Sequence, residues 1–459
     1  MSILIKNGLV ITENGEKQAD IYIENDTVKQ IEKHLSMKAD RIIDAVGKIV
    51  IPGGIDVHTH LHLPMGNIFS SDDFETGTRA AAFGGTTTII DFAQQAKNQS
   101  LLEAFDARLR EAGKSLIDYG LHMIIVDFPE QRFGEMDELV KNGVTSFKLF
   151  TAYPDRLMVD DDTLVRTLQQ TRKNGGLVCV HAEDSEMIDA RILKALREGK
   201  IEPKYHATTR PAEVEAKAVQ RVIKLAQNAK SPVYFVHISC SESLDYIRQA
   251  QSEGQQVYAE TCPQYLFTSI EDLDRPHFEG AKYVFTPPPR ERWNQEKLWD
   301  GLRNRSLQII STDHCPFNFR GDKELGRMDF TKIPNGAPGI ENRLQLLYHF
   351  GVAGGKISIH RWVELLSTMP AKLFGLYPKK GTIAVGSDAD IVIWNPLTEY
   401  IISASTHHMQ VDYSLYEGWQ LHGNAETVIS RGELLVDKNE WFGTAGRGKF
   451  LRRLPRNLL

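Results

Sequence analysis

Long apolar runs are missing from this chain of 459 residues. No stretch approaches the ~18 consecutive apolar residues of a membrane span. The opening, M-S-I-L-I-K-N-G, has no basic segment leading into an apolar core, so no secretory leader is expected. An excess of one charge is missing too. Charged residues make up 25% and the formal net charge is -6, which suits neither a nucleic-acid groove nor an anionic membrane surface. Cysteine is scarce: Cys179, Cys240, Cys262 and Cys315 form no C-x-x-C pair and read as buried free thiols in a reducing compartment. Short-period repeats and low-complexity tracts are absent as well. The expectation is a soluble cytoplasmic protein with one large core and room for a smaller second module.

Histidine is what the chain has in plenty, with 15 residues, more than packing needs. The chain is organised around residues 51–62, I-P-G-G-I-D-V-H-T-H-L-H. An apolar strand runs there into His58 and His60, and residues two apart on a strand point to the same side. Two imidazoles converge at the strand's end, with the spread needed to hold one metal ion.

Residues 1–52 carry short apolar bursts (Ile3 to Ile5, Leu9 to Ile11, Ile21 to Ile23) separated by turn signals such as Asn7-Gly8 and Glu13-Asn14-Gly15. A matching pattern returns over 376–440, at Ile391 to Trp394, Val428 to Ser430 and Leu434 to Val436. Neither half has enough strands to close a core alone, so the two are expected to form one small β-sandwich. Over 53–375 the period changes to short strands alternating with helix-length amphipathic stretches. Eight strand ends are expected: Val57–His60, Thr88–Asp91, His122–Val126, Phe147–Phe150, Val178–His181, Tyr234–His237, Val257–Glu260 and Ile309–Asp313. Eight such units predict an α/β (β/α)8 barrel, with chemistry gathered at the C-terminal ends of its strands. Residues 441–459 form a basic tail (Arg447, Lys449, Arg452, Arg453, Arg456), expected as a solvated arm or a subunit contact.

His58, His60, Lys148, His181, His237 and Asp313 all fall at those strand ends and would share one mouth. Lys148 is the informative member. An ammonium has no lone pair and would repel a cation, so an unmodified lysine makes no sense beside four imidazoles. Its amine can add carbon dioxide to give a carbamate whose two oxygens bridge two metals. Two dications ~3.5 to 4 Å apart can share a hydroxide and bring its pKa towards neutrality.

The chain resembles the hydantoinase/dihydropyrimidinase family of cyclic amidohydrolases, over nearly its whole length. The motifs are H-T-H-L at 58–61, D-D-F-E-T-G-T-R at 72–79, S-F-K-L-F-T-A-Y at 146–153, V-H-A-E at 180–183, and Y-H-A-T-T-R-P at 205–211. E-T-C-P-Q-Y-L at 260–266, T-D-H at 312–314 and P-N-G-A-P-G-I-E-N-R at 334–343 continue the match. The resemblance implies two zinc ions, a carboxylated Lys148, and a homotetramer or homodimer. It puts His58, His60, Lys148 and Asp313 on the more buried ion and Lys148, His181 and His237 on the other. Asp313 would act as base and then acid, and Tyr153 would donate its hydroxyl to the developing oxyanion. Thr286 and Asn335 match positions that bind the cyclic imide, largely through backbone groups. His314 would orient a ligand or simply pack. Two departures stand out: the family often has serine at Thr286, and an acidic or amide residue at His62, which could face the substrate entrance.

The implied reaction is hydrolysis of a 5-substituted hydantoin or 5,6-dihydropyrimidine to an N-carbamoyl amino acid. Allantoinase is the alternative enzyme, and a non-catalytic scaffold of the same fold the alternative class. No arginine follows the His-x-His pair to hold a substrate carboxylate, since Leu61 and His62 stand there. Loops 62–72 and 153–162 should flank the mouth with Leu63, Met65, Ile68, Phe69, Leu157, Met158 and Val159, an apolar wall for an aromatic or alkyl substituent.

Overall fold

The computed structural model describes residues 2–13 and 15–456. Met1, Asn14 and 457–459 fall outside it, and with them the middle of the expected Glu13–Gly15 turn and the end of the basic tail. Among the described residues, eight parallel strands form one sheet in chain order: Gly54–Thr59, Thr86–Gln94, Asp118–Ile124, Ser146–Phe150, Leu177–His181, Val233–Phe235, Val257–Thr261 and Ile309–Ile310. The ends meet where Thr59 bridges His314 and the His60 N–H donates to the His314 carbonyl at 2.8 Å. The result is the expected (β/α)8 barrel.

Alternation along each strand sorts side chains between two layers. Phe147, Leu149, Val178, Val180, Val233 and Phe235 point outward into the core shared with the helices. Ile55, Val57, Ile90, Leu177, Cys179, Tyr234 and Ile309 point inward and fill the barrel beneath the mouth. Lys148 and His181 continue the inward series at the upper rim. Local signals set the helices between strands. Ser100 caps Leu101–Ala112 in a capping box with Glu103. Asp160 caps Asp161–Asn174, which ends at Gly175 with φ +78°.

The two chain ends build a second sheet of nine strands among the described residues, joined where Ile49–Pro52 pairs antiparallel with the Ile391–Ile401 strand. The sheet curls on itself, because the turn at Asn25–Asp26 meets Ala389 and Thr27 bridges Asp388. Ile3, Ile5, Ile21 and Ile23 from one end then pack against Ile391, Ile393, Ile429 and Leu434 from the other.

The basic tail departs from expectation. It runs under the barrel as a plug, not out into solvent. The Lys449 carbonyl accepts from Tyr119 N–H at 3.0 Å, Leu451 N–H donates to Tyr119 at 2.7 Å, and Arg453 N–H donates to Gly143 at 3.1 Å. Leu451 joins the inward core beside Phe374. The Arg453 side chain is 2% exposed and donates to Ser146 Oγ at 2.8 Å. Its charge count suggested solvation; carbonyls at the barrel's lower rim supply partners instead. No helix among the described residues is long and apolar enough to cross a membrane.

Candidate active site

His58 and His60 leave the first strand side by side, their Nε2 atoms 3.2 Å apart. Asp313, just past the eighth strand, places Oδ1 3.1 Å from each. His58, His60 and Asp313 thus present ligand atoms that all lie within 4.8 Å of one another. Across the mouth, His181 Nδ1 and His237 Nε2 face each other at 2.9 Å. Two imidazole pairs therefore aim nitrogens at two nearby points.

Carboxylates hold the far side of the rings. Glu260, at 0% exposure, sits 2.5 Å from His58 Nδ1, and its other oxygen accepts from the Tyr234 hydroxyl at 2.7 Å. Glu260 also accepts the main-chain N–H of His237 at 3.2 Å. Glu183 contacts His181 Nε2 at 2.8 Å. A carboxylate behind a ring nitrogen fixes its orientation and raises the basicity of the nitrogen opposite. Asp313 and His237 adopt φ of +52° and +40°, backbone strain that turns both side chains inward.

Lys148 is 1% exposed, its Nζ over the rings of Phe92 at 5.4 Å and Phe150 at 4.9 Å. Burial draws its ammonium down to about 8. His58 goes the other way: burial alone would lower it, but the Asp313 and Glu260 carboxylates hold it up at about 9. Burial would raise the Asp313 carboxyl, yet His58 and His60 keep it well below the usual carboxylate range. Tyr153 has φ +66° and a hydroxyl that burial pushes up to about 12, so it remains a donor at neutral pH.

These residues converge on a cavity of about 820 Å³ that His58, His60, Lys148, Tyr153, His181, His237, Thr286, Asp313 and Asn335 all help to line. The donor set suits two divalent cations: four imidazoles facing inward in pairs, a shared carboxylate and a buried amine. A bare Lys148 ammonium is the single misfit, and its carbamate would remove the mismatch.

Other expectations divide. Leu63, Met65, Ile68 and Leu157 reach the cavity, whereas Phe69 stacks on the exposed His62 at 4.4 Å. Met158 and Val159 face a separate shallow pocket beside Asp160. Loop neighbours alternate in direction, so only part of the apolar run lines the mouth. His62 does not line the cavity. His314 packs: it contacts Asp72 at 3.1 Å through Nε2 and accepts the Gly339 N–H at Nδ1. Sequence reasoning missed Glu183 as a partner of His181 and Glu260 as a partner of His58. Both stood in quoted motifs; for Glu260 a glutamate on an apolar strand was the available signal, and for Glu183 its place two residues past His181.

Residues 49–435 match the Amidohydrolase family. A D-hydantoinase from Streptomyces coelicolor is 50% identical, over 98% of this chain and 97% of its own. A D-hydantoinase from Geobacillus stearothermophilus is 47% identical, over 99% and 97%. The crystal structure of dihydropyrimidinase from Brevibacillus agri superposes with a TM-score of 0.98 at 48% identity, covering 99% of both chains. With this barrel, this cavity and relatives matched end to end, the chain belongs to the amidohydrolase family, in its hydantoinase/dihydropyrimidinase branch.

Proposed function

We propose that this protein opens a cyclic ureide, a 5-substituted hydantoin or a 5,6-dihydropyrimidine, by hydrolysing one ring amide to give an N-carbamoyl amino acid. The observation that carries the reading is the pairing of imidazoles around buried Lys148 in one cavity. His58, His60, Lys148 and Asp313 would hold one zinc, and Lys148, His181 and His237 the other. Lys148 joins as a carbamate: its neutral amine forms a bond to the carbon of carbon dioxide and loses one proton. The ions, when bound, supply Lewis acidity and a water acidic enough to attack at neutral pH.

The chain's own residues do the rest. Asp313, ionised and beside the attacked carbonyl, takes the proton of the attacking water and returns it to the leaving ring nitrogen. The Tyr153 hydroxyl donates to the carbonyl oxygen as negative charge develops there. Thr286 and Asn335 hold the ring's imide edge, and Leu63, Met65, Ile68 and Leu157 take an apolar substituent at C5. The names of the matched relatives favour this substrate class over allantoin. A non-catalytic scaffold is disfavoured because every ligand position is filled. Four free, buried cysteines suit the reducing cytoplasm, and a homotetramer or homodimer completes the proposal.

Elemental analysis should find two zinc ions per chain, and light scattering the assembly. Turnover of dihydrouracil, 5-phenylhydantoin and allantoin tests the substrate class. No activity on the first two after zinc and bicarbonate are supplied would defeat the reading.

A further inference from the structure

Among the described residues, Lys323 is a buried cation with no carboxylate in ion-pair contact, the neighbouring Asp322 acting on it only from a distance. It opens a single helical turn, Lys323–Gly326, in the loop after the eighth strand, and is 0% exposed. Its Nζ donates to three main-chain carbonyls, Val284 at 2.7 Å, Pro334 at 2.8 Å and Gly336 at 2.7 Å. An ammonium has three N–H donors and no acceptor, so these bonds use it completely. A neutral amine would turn a lone pair towards one of the oxygens. Burial pulls the ammonium down to about 7, a penalty that an apolar side chain of the same length would not incur. Packing alone therefore gives no reason for lysine here.

The three carbonyls belong to two segments that line the cavity. Val284 stands two residues before Thr286, and Pro334 and Gly336 flank Asn335. The Gly336 N–H donates to the Val284 carbonyl at 3.1 Å, and the Cys315 N–H donates to the Ala337 carbonyl at 3.1 Å. At Gly336, with φ +150°, an added Cβ would lie 2.1 Å from the Cys315 carbonyl oxygen. Residues 334–337 are thus wedged between 284 and 315 with no slack. Thr286 and Asn335 both reach the cavity, whereas Lys323 stays behind them.

We propose that Lys323 is a positioning residue for substrate: its ammonium clamps together the two segments that present Thr286 and Asn335, setting their spacing to the cyclic imide. The inference rests on those two residues binding the ring, as proposed above. Lys323 touches no reacting atom and none of the metal-facing side chains. Ring contacts of this kind act alike in the ground state and the transition state, so loosening them raises KM and leaves kcat nearly unchanged.

Lys323→Met keeps the length and removes every donor. The variant should retain wild-type metal content, raise KM for 5-phenylhydantoin about 10- to 100-fold and keep kcat within about threefold. Lys323→Gln, with two N–H donors, should recover part of that KM. A mere structural brace would lower Tm and leave KM unchanged, and that result overturns the proposal; so does loss of metal from folded Lys323→Met. Should the variants not fold, hydrogen exchange on the wild-type enzyme decides. Saturating 5,5-dimethylhydantoin should slow exchange in 284–287 and 334–337 together, and protection of only one segment overturns the clamp. A wild-type enzyme that opens no cyclic amide defeats the functional reading first. An active wild type with unchanged KM in Lys323→Met defeats the clamp alone.

Discussion

Replacing Glu260 separates the charge behind the metal-facing ring of His58 from the hydrogen bonds around it. Three donors converge on this buried carboxylate: His58 Nδ1 at 2.5 Å, the Tyr234 hydroxyl at 2.7 Å and the His237 N–H at 3.2 Å. In Glu260→Gln the amide oxygen can face His58 and His237, while its NH2 donates to the Tyr234 oxygen. The charge is lost, and of the three donors only the Tyr234 hydroxyl loses its acceptor, because an NH2 cannot accept. Removing such a partner typically weakens metal binding about 10- to 100-fold, or about 1.4 to 2.8 kcal/mol at 1.4 kcal/mol per tenfold. Glu260→Ala instead strands three donors, each costing roughly 1 to 3 kcal/mol when buried and unmet. Dialysis against graded chelator, followed by elemental analysis, should show Glu260→Gln releasing metal at correspondingly lower chelator concentration. Thermal melting of the metal-free proteins should place Glu260→Gln, with one unmet donor, below wild type, and Glu260→Ala, with three, well below Glu260→Gln. If Glu260→Gln holds metal as tightly as wild type, or the two variants melt together, the reasoning is wrong.

Lys148→Ala should lose metal and turnover together, with partial rescue by short carboxylic acids that replace the oxygens of the proposed carbamate; full activity without rescue would exclude the bridging role. Tyr153→Phe should lower kcat about 10²- to 10³-fold, the usual effect of one lost oxyanion donor, and leave metal content unchanged. A steady-state comparison that finds kcat intact would remove Tyr153 from the chemistry. At the junction of barrel and sandwich, Lys380 Nζ lies 2.7, 3.1 and 2.6 Å from Asp118, Asp388 and Asp390. Asp118 keeps Arg431 at 2.9 Å and Asp388 keeps Lys379 at 4.0 Å, but Lys380→Met removes the cation all three carboxylates share, a change worth about 3 to 5 kcal/mol, so calorimetry should record a clear fall in Tm. An unchanged Tm would refute the assigned role.

Much of this was legible in the chain because strand and helix periods are local. The H-T-H pair shows its geometry by spacing alone, since residues two apart share a side. Inward polar residues at the ends of apolar strands mark the mouth once eight strands are counted. The tail and the loops were less legible. Arg453 reads as one charge among five, and its partner Ser146 is 307 positions away. Phe69 and Met158 read as part of an apolar wall, yet each turns from the cavity its neighbours line.

What the sequence determined by itself is the fold class and the set of side chains at the barrel's rim, because both follow from short-range periodicity. What only the tertiary structure decided is the set of partners behind that rim: Glu260 against His58, Glu183 against His181, and Lys323 beneath Thr286 and Asn335. Glu260 and His58 are 202 residues apart and meet only when the sheet closes. A buried charge is stable only where distant donors or acceptors converge on it, and no local pattern records which ones will.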